Sequence, residues 1–186
     1  MELIENIFLL HGKGGRPTGS VLQLEELLRP DFPGARFRRP ALLHGDTGVA
    51  AEQSLRALHE IEIPAGSTVI GISLGGLLAA RLQETVRIDL QVIAISSPTW
   101  ADGVSLAQNM PHRLALYSSK DTVILGRVTD WPRLAEAYDL PWLTHDTDAH
   151  KHPLVRIVRC YLRGENVCAE VGVVTKELRC AEDAAR

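Results

Sequence analysis

The chain has 186 residues, 45% of them hydrophobic, and a formal net charge of −3 with both signs interspersed. That length suits one domain able to bury a sizeable core, and the composition argues against a disordered or membrane-embedded chain. The balance of charge leaves no footprint for nucleic acid, since the nearest thing to a basic patch, Arg36, Arg38 and Arg39, reads as a solvated strand edge.

The opening stretch MELIENIFLLHG carries Glu2 and Glu5 where a secretory leader needs positive charge. No later run approaches the roughly 18 apolar residues of a membrane span. Cys160, Cys168 and Cys180 are odd in number and lack metal-type spacing, which suits reduced thiols. The expectation is a cytoplasmic protein without a membrane or nucleic-acid partner, acting on a small-molecule substrate.

From residue 6 onward two kinds of segment alternate. Apolar, β-rich runs occupy 6–12 (NIFLLHG), 39–45 (RPALLHG), 67–73 (STVIGIS), 90–97 (LQVIAISS), 113–119 (RLALYSS) and, weakly, 141–145 (PWLTH). Helical spacing of apolar residues marks 20–30, 49–61, 74–86, 131–140 and 151–163. Strands alternating with helices in this way predict right-handed βαβ units and a mostly parallel sheet of about six strands. Runs apolar throughout, such as VIAIS, predict cover on both faces, hence a three-layer α/β/α sandwich. The domain is expected over residues 1–164, followed by a 165–186 tail that is either a docked helix or partly mobile.

Ligands of such sheets sit beyond the carboxyl ends of the strands. The residues found there are HGKGG (11–15), Ser73 within Gly71-Ile72-Ser73-Leu74-Gly75, Lys120-Asp121, and His145, His150 and His152. The G-x-S-x-G pattern is a nucleophile elbow: a serine on a tight strand-to-helix turn, where side chains two positions either side would clash. Gly71 and Gly75 remove those side chains, Gly76 eases the start of the following helix, and the helix N-terminus favours negative charge developing at the serine.

With its elbow, its HGKGG loop and a downstream acid and histidine, the sequence resembles the α/β-hydrolase superfamily over about residues 5 to 163, in a small form without a lid. It starts where the third strand of larger members would be. The order Ser73, Asp121, His150 matches the order of nucleophile, acid and histidine in that family. The resemblance implies an acyl-enzyme mechanism with no cofactor and no metal. Ser73 would be the nucleophile, Asp121 the orienting acid and His150 the base, with His152 as fallback and His145 as the third candidate. Asp102, Asp146 and Asp148 are the alternative acids. The backbone N–H groups of Leu74 and Lys13 would form the oxyanion hole, with Gly12, Gly14 and Gly15 letting the loop turn back toward the serine.

Other roles stay open at this level. HGKGG lacks the ending of a phosphate-cradling Walker loop. Lys13 and Arg16 either attract an anionic substrate or are solvated charges. Trp100 either lines an acyl pocket or packs half-buried. His11 reads as packing beneath the oxyanion loop, and His44 has no assignable role. The implied activity is cleavage of a small carboxylic ester, thioester or amide. Acyl transfer through the same triad, or a non-catalytic binding module on the same fold, are the competing readings.

Overall fold

A computed structural model describes residues 4–86 and 89–184. Six strands form one sheet in the order β2-β1-β3-β4-β7-β8, every neighbouring pair parallel. They are β1 (Asn6–Leu10), β2 (Arg36–Arg38), β3 (Ser67–Ile72), β4 (Leu90–Ile95), β7 (Arg113–Tyr117) and β8 (Glu136–Asp139). Two short strands, β5 (Trp100–Ala101) and β6 (Val104–Ser105), make a separate antiparallel hairpin between β4 and β7.

The apolar runs are buried because helices cover both faces of the sheet. On one face α2 (Ala51–His59), α3 (Leu74–Thr85) and the short α4 (Trp131–Leu134) contribute Leu58, Leu77, Leu78 and Trp131 to a continuous apolar layer. On the other, α1 (Ser20–Leu28), α5 (Lys151–Leu162) and α6 (Val167–Ala184) contribute Leu24, Leu28, Ile157 and Val174. The result is the expected three-layer α/β/α sandwich, and its sheet is parallel throughout. The described part of the tail carries helix α6 over Val167–Ala184. Val167 and Val174 are buried in the second layer, with Val171 and Leu178 packed against it, a spacing of three and four residues that gives one apolar face.

Two expected elements lie elsewhere. The second strand falls at 36–38, pairing with β1 from Asn6↔Arg36 to Phe8↔Arg38, and the anticipated 39–45 run is not a strand. Pro40 cannot donate to a ladder, and Leu43–Gly45 closes a 3-10 turn instead. The helix anticipated over 131–140 stops at Leu134, Ala135 is extended, and Glu136–Asp139 becomes the outer strand. Pairing from Leu114↔Glu136 to Tyr117↔Asp139 satisfies the outer edge of β7, which outweighs the helical spacing of four residues. Residues 141–145, expected as the sixth strand, are accordingly irregular.

The chain leaves β1 toward β2 and returns to β3 on the other side of β1. The sheet therefore reverses direction between β1 and β3, and the crevice beyond their carboxyl ends is the natural place for a ligand. Among the described residues no helix is long and apolar enough to cross a membrane.

Candidate active site

Ser73 follows β3 directly and opens α3 with φ 52° and ψ −124°. This left-handed conformation costs a non-glycine residue on the order of 1–3 kcal/mol. Backbone bonds hold it: the Ser73 N–H donates to the Ile95 carbonyl at 2.9 Å, and the Ser73 carbonyl accepts from the Gly76 N–H at 3.0 Å. The elbow glycines are obligatory on steric grounds. A methyl at Gly71 would lie 2.3 Å from the carbonyl of Gly75, and one at Gly75 would lie 2.3 Å from the Leu10 carbonyl oxygen and 2.6 Å from that of His11. Gly76 is held similarly close to the hydroxyl of Ser97.

The loop after β1 comes down on the same serine. A methyl at Gly12 would sit 3.0 Å from Ser73 Cβ and 3.6 Å from its Oγ, so the loop backbone lies against the hydroxyl. The turn closes through Gly14, which has φ +72°, and through the Gly15 N–H, which donates to the Gly12 carbonyl at 3.0 Å. Among the described residues the Lys13 and Leu74 N–H groups have no acceptor within the protein. Leu74 adjoins the serine and Lys13 follows the Gly12 that lies against it.

Two histidines shape this loop from beneath. His11 and His44 are 3% and 0% exposed, with ring centroids 4.9 Å apart. The Leu42 N–H donates to His11 Nε2 at 3.1 Å, which puts the His11 proton on Nδ1, where it donates to the Gly12 carbonyl at 2.9 Å. His44 Nε2 faces the His11 carbonyl at 2.8 Å and therefore carries the proton there. Burial pushes the His44 pKa down from 6.5 to about 4; the neighbouring His11 and Lys13 add to this, and the bond to the His11 carbonyl partly opposes it.

The candidate acid and histidines come from the β7–β8 half of the sheet. Asp121, after β7, is 4% exposed. One of its carboxylate oxygens, Oδ1, accepts from the Val123 N–H at 2.9 Å, and the other, Oδ2, lies 2.9 Å from Nδ1 of His145. Because a carboxylate only accepts, Nδ1 of His145 bears the proton and Nε2 keeps a free lone pair.

Asp121 thus meets His145, the third candidate of the three. His150, the first candidate, closes the 3-10 turn Thr147–His150 at the start of α5, and its ring stands edge-on to Trp142 at 5.6 Å. His152 is exposed on the first turn of α5. The pairing follows from the outer strand. With β8 ending at Asp139, His145 lies in the loop leaving the sheet, whereas an outer strand over 141–145 would have left it on the strand itself.

The alternative acids are engaged elsewhere. Asp102 pairs with Lys13 at 2.8 Å, Asp146 caps the 3-10 turn through the Asp148 N–H, and Asp148 accepts from Gln23 at 3.1 Å. Lys13 is accordingly charge-paired, and Arg16 is exposed. Trp100 is 50% exposed, with the Arg127 guanidinium 4.7 Å from its ring centre. Among the described residues no group of three or more His, Cys, Asp or Glu side chains is arranged to hold a metal ion.

No protein-family model matches the chain, and no curated protein sequence matches it. Solved structures do. Alpha/beta hydrolase domain-containing protein 10 from mouse superposes with a TM-score of 0.68 at 12% identity, covering 86% of this chain and 90% of its own. MGS-MChE2, an α/β-hydrolase enzyme from a lagoon-sediment metagenome, gives 0.67 at 17%, covering 87% and 91%. Est1E from Butyrivibrio proteoclasticus, solved with ferulic acid bound, gives 0.62 at 13%, covering 87% and 89%. The chain has the α/β-hydrolase fold.

Proposed function

We propose, from that fold, that the protein is a serine hydrolase cleaving small carboxylic esters through an acyl-enzyme, with Ser73, His145 and Asp121 as its triad. The observation that carries this reading is the strained Ser73 facing the Gly12 loop while a buried aspartate fixes the tautomer of His145.

The chemistry follows in two halves. His145 Nε2 takes the hydroxyl proton as Ser73 Oγ adds to the ester carbonyl carbon. Asp121 stabilises the resulting imidazolium. The carbonyl oxygen becomes an oxyanion, which the Lys13 and Leu74 N–H groups receive. A donor of this kind is worth roughly 3 kcal/mol in such reactions. The C–O bond to the leaving group then breaks, and the imidazolium returns its proton to the departing alkoxide. Water, deprotonated by the same imidazole, repeats the addition on the acyl-enzyme and releases the acid with the serine restored.

A non-catalytic module on this fold leaves the backbone strain at Ser73 without a purpose, so the hydrolase reading is preferred. The test is covalent labelling by a fluorophosphonate, with the adduct located by mass spectrometry. Labelling at Ser73 that is lost in His145→Ala and kept in His150→Ala is expected. Absence of labelling in folded protein removes the reading.

A further inference from the structure

The Lys13 N–H is aimed by its peptide plane, and that plane is fixed from behind. In a trans peptide the C=O and N–H point in opposite directions. The Gly12 carbonyl is tied back by His11 Nδ1 at 2.9 Å and by the Gly15 N–H at 3.0 Å. The N–H of the same peptide, that of Lys13, must then project away from His11.

His11 does not hold this geometry alone. Its own carbonyl is wedged between two groups: the Gly75 Cα of the elbow on one side, where even a methyl would come within 2.6 Å, and His44 Nε2 at 2.8 Å on the other. His44 also receives the Gly14 N–H on its backbone carbonyl at 2.9 Å, so one residue holds the loop both before and after the oxyanion donor.

We propose that His44 is a positioning residue for the oxyanion hole, acting through the His11 carbonyl to set the direction of the Lys13 N–H. The claim rests on the hydrolase reading of Ser73 for its kinetic consequence and on the loop geometry alone for its structural one. His44 is wholly buried, and among the described residues its Nδ1 has no hydrogen-bond partner. The ring spends its bonding capacity on the His11 carbonyl. With its pKa pushed down to about 4 it stays neutral, in a single tautomer, at neutral pH.

The test pairs a variant that removes the donor with one that restores it. His44→Met keeps much of the volume and loses the N–H; His44→Gln can present an amide N–H close to the position of Nε2. Thermal melting first establishes that both are folded. For 4-nitrophenyl acetate, His44→Met should lower kcat by roughly 10- to 100-fold with KM within about twofold, as expected for a donor misplaced in the transition state. Its affinity for a trifluoromethyl ketone, which binds as a tetrahedral oxyanion, should fall by a similar factor, and His44→Gln should recover most of both losses. Equal damage in the two variants, or a loss confined to KM or to the melting temperature, overturns the proposal. Amide hydrogen exchange supplies the arm that needs no activity: His44→Met should speed exchange at Gly14 and Gly15, and unchanged exchange there overturns it. If the wild type neither labels nor hydrolyses but the exchange result holds, the Ser73 reading fails and the loop brace stands.

Discussion

Asp121 Oδ2 and His145 Nδ1 lie 2.9 Å apart, with the carboxylate side chain 1% exposed and the imidazole 26% exposed. The carboxylate is sealed from water while the imidazole stays partly exposed, as the proposed proton exchange with a substrate requires. Ser73→Ala and His145→Ala should each lower kcat by about 10⁴-fold or more, and Asp121→Asn by a similar order through loss of the correct tautomer. His150→Ala should stay within about twofold of wild type in steady-state kinetics. A His150 variant as damaging as His145→Ala would reassign the base.

The elbow makes a sharper demand on stability than on chemistry. Gly75→Ala places a methyl 2.3 Å from the Leu10 carbonyl oxygen, in backbone that cannot move without parting β1 from α3. Overpacking of this kind costs at least about 2–3 kcal/mol. Urea unfolding should show that loss, together with loss of labelling in whatever fraction remains folded.

His44 also gives stability a pH dependence. Its folded-state pKa of about 4 lies below the 6.5 of an exposed imidazole. Between those values the unfolded chain binds a proton that the folded protein refuses, so stability rises with pH there. The contribution is complete above about pH 6.5 and is lost as pH falls toward 4, by at most roughly 3 kcal/mol. Denaturant titrations at pH 7 and pH 4.5 should show a smaller difference in His44→Gln than in wild type. Equal differences would mean that His44 titrates normally.

Two ion pairs should behave in opposite ways. Lys13–Asp102 is exposed, at 39% and 44% for its side chains, and Asp102→Asn should change stability by less than about 1 kcal/mol. Arg113 and Glu84 are both fully covered. The guanidinium also bonds Gln83 and the carbonyls of Ala80 and Gln108, while Glu84 receives the Ala107 and Gln108 N–H groups. Arg113→Met leaves that carboxylate its bond to Arg81 at 2.7 Å but takes the donor from the buried Gln83 side chain and the Ala80 carbonyl, each such orphaned group typically costing about 1–3 kcal/mol. Thermal unfolding of the two variants provides the comparison.

The segment between β4 and β7 is spent on the β5–β6 hairpin and on its anchor to Glu84, with nothing left to form a lid. For 4-nitrophenyl esters, kcat/KM should fall at least tenfold from acetate or butyrate to dodecanoate. The reverse order would contradict an open site for short acyl groups.

The elbow was legible in the sequence because its cause is local: Gly71, Ser73 and Gly75 are forced by the close approach of adjacent strand and helix. The layer order was legible for a similar reason, from runs such as VIAIS buried on both faces. Which of His145, His150 and His152 meets Asp121 was not, because it depends on where β8 ends. That is set by pairing across the sheet to Leu114–Tyr117, which prevails over the helical spacing of residues 131–140. His44 was unreadable for a related reason, since its partner is a backbone carbonyl 33 residues earlier and no side-chain pattern announces it.

The wedge of the His11 carbonyl against Gly75 has a consequence for the chain while it is being made. The two groups meet only after β1 and β3 have zipped in register, Leu10 opposite Gly71. On the hydrolase reading, neither half would hold an activated serine beforehand: a nascent segment carrying the elbow has no HGKGG loop beside it, and the loop alone has no serine. Reactivity would then be withheld until long-range pairing is complete. A covalent probe for Ser73 would count correctly paired molecules, and so would report on folding as directly as on catalysis.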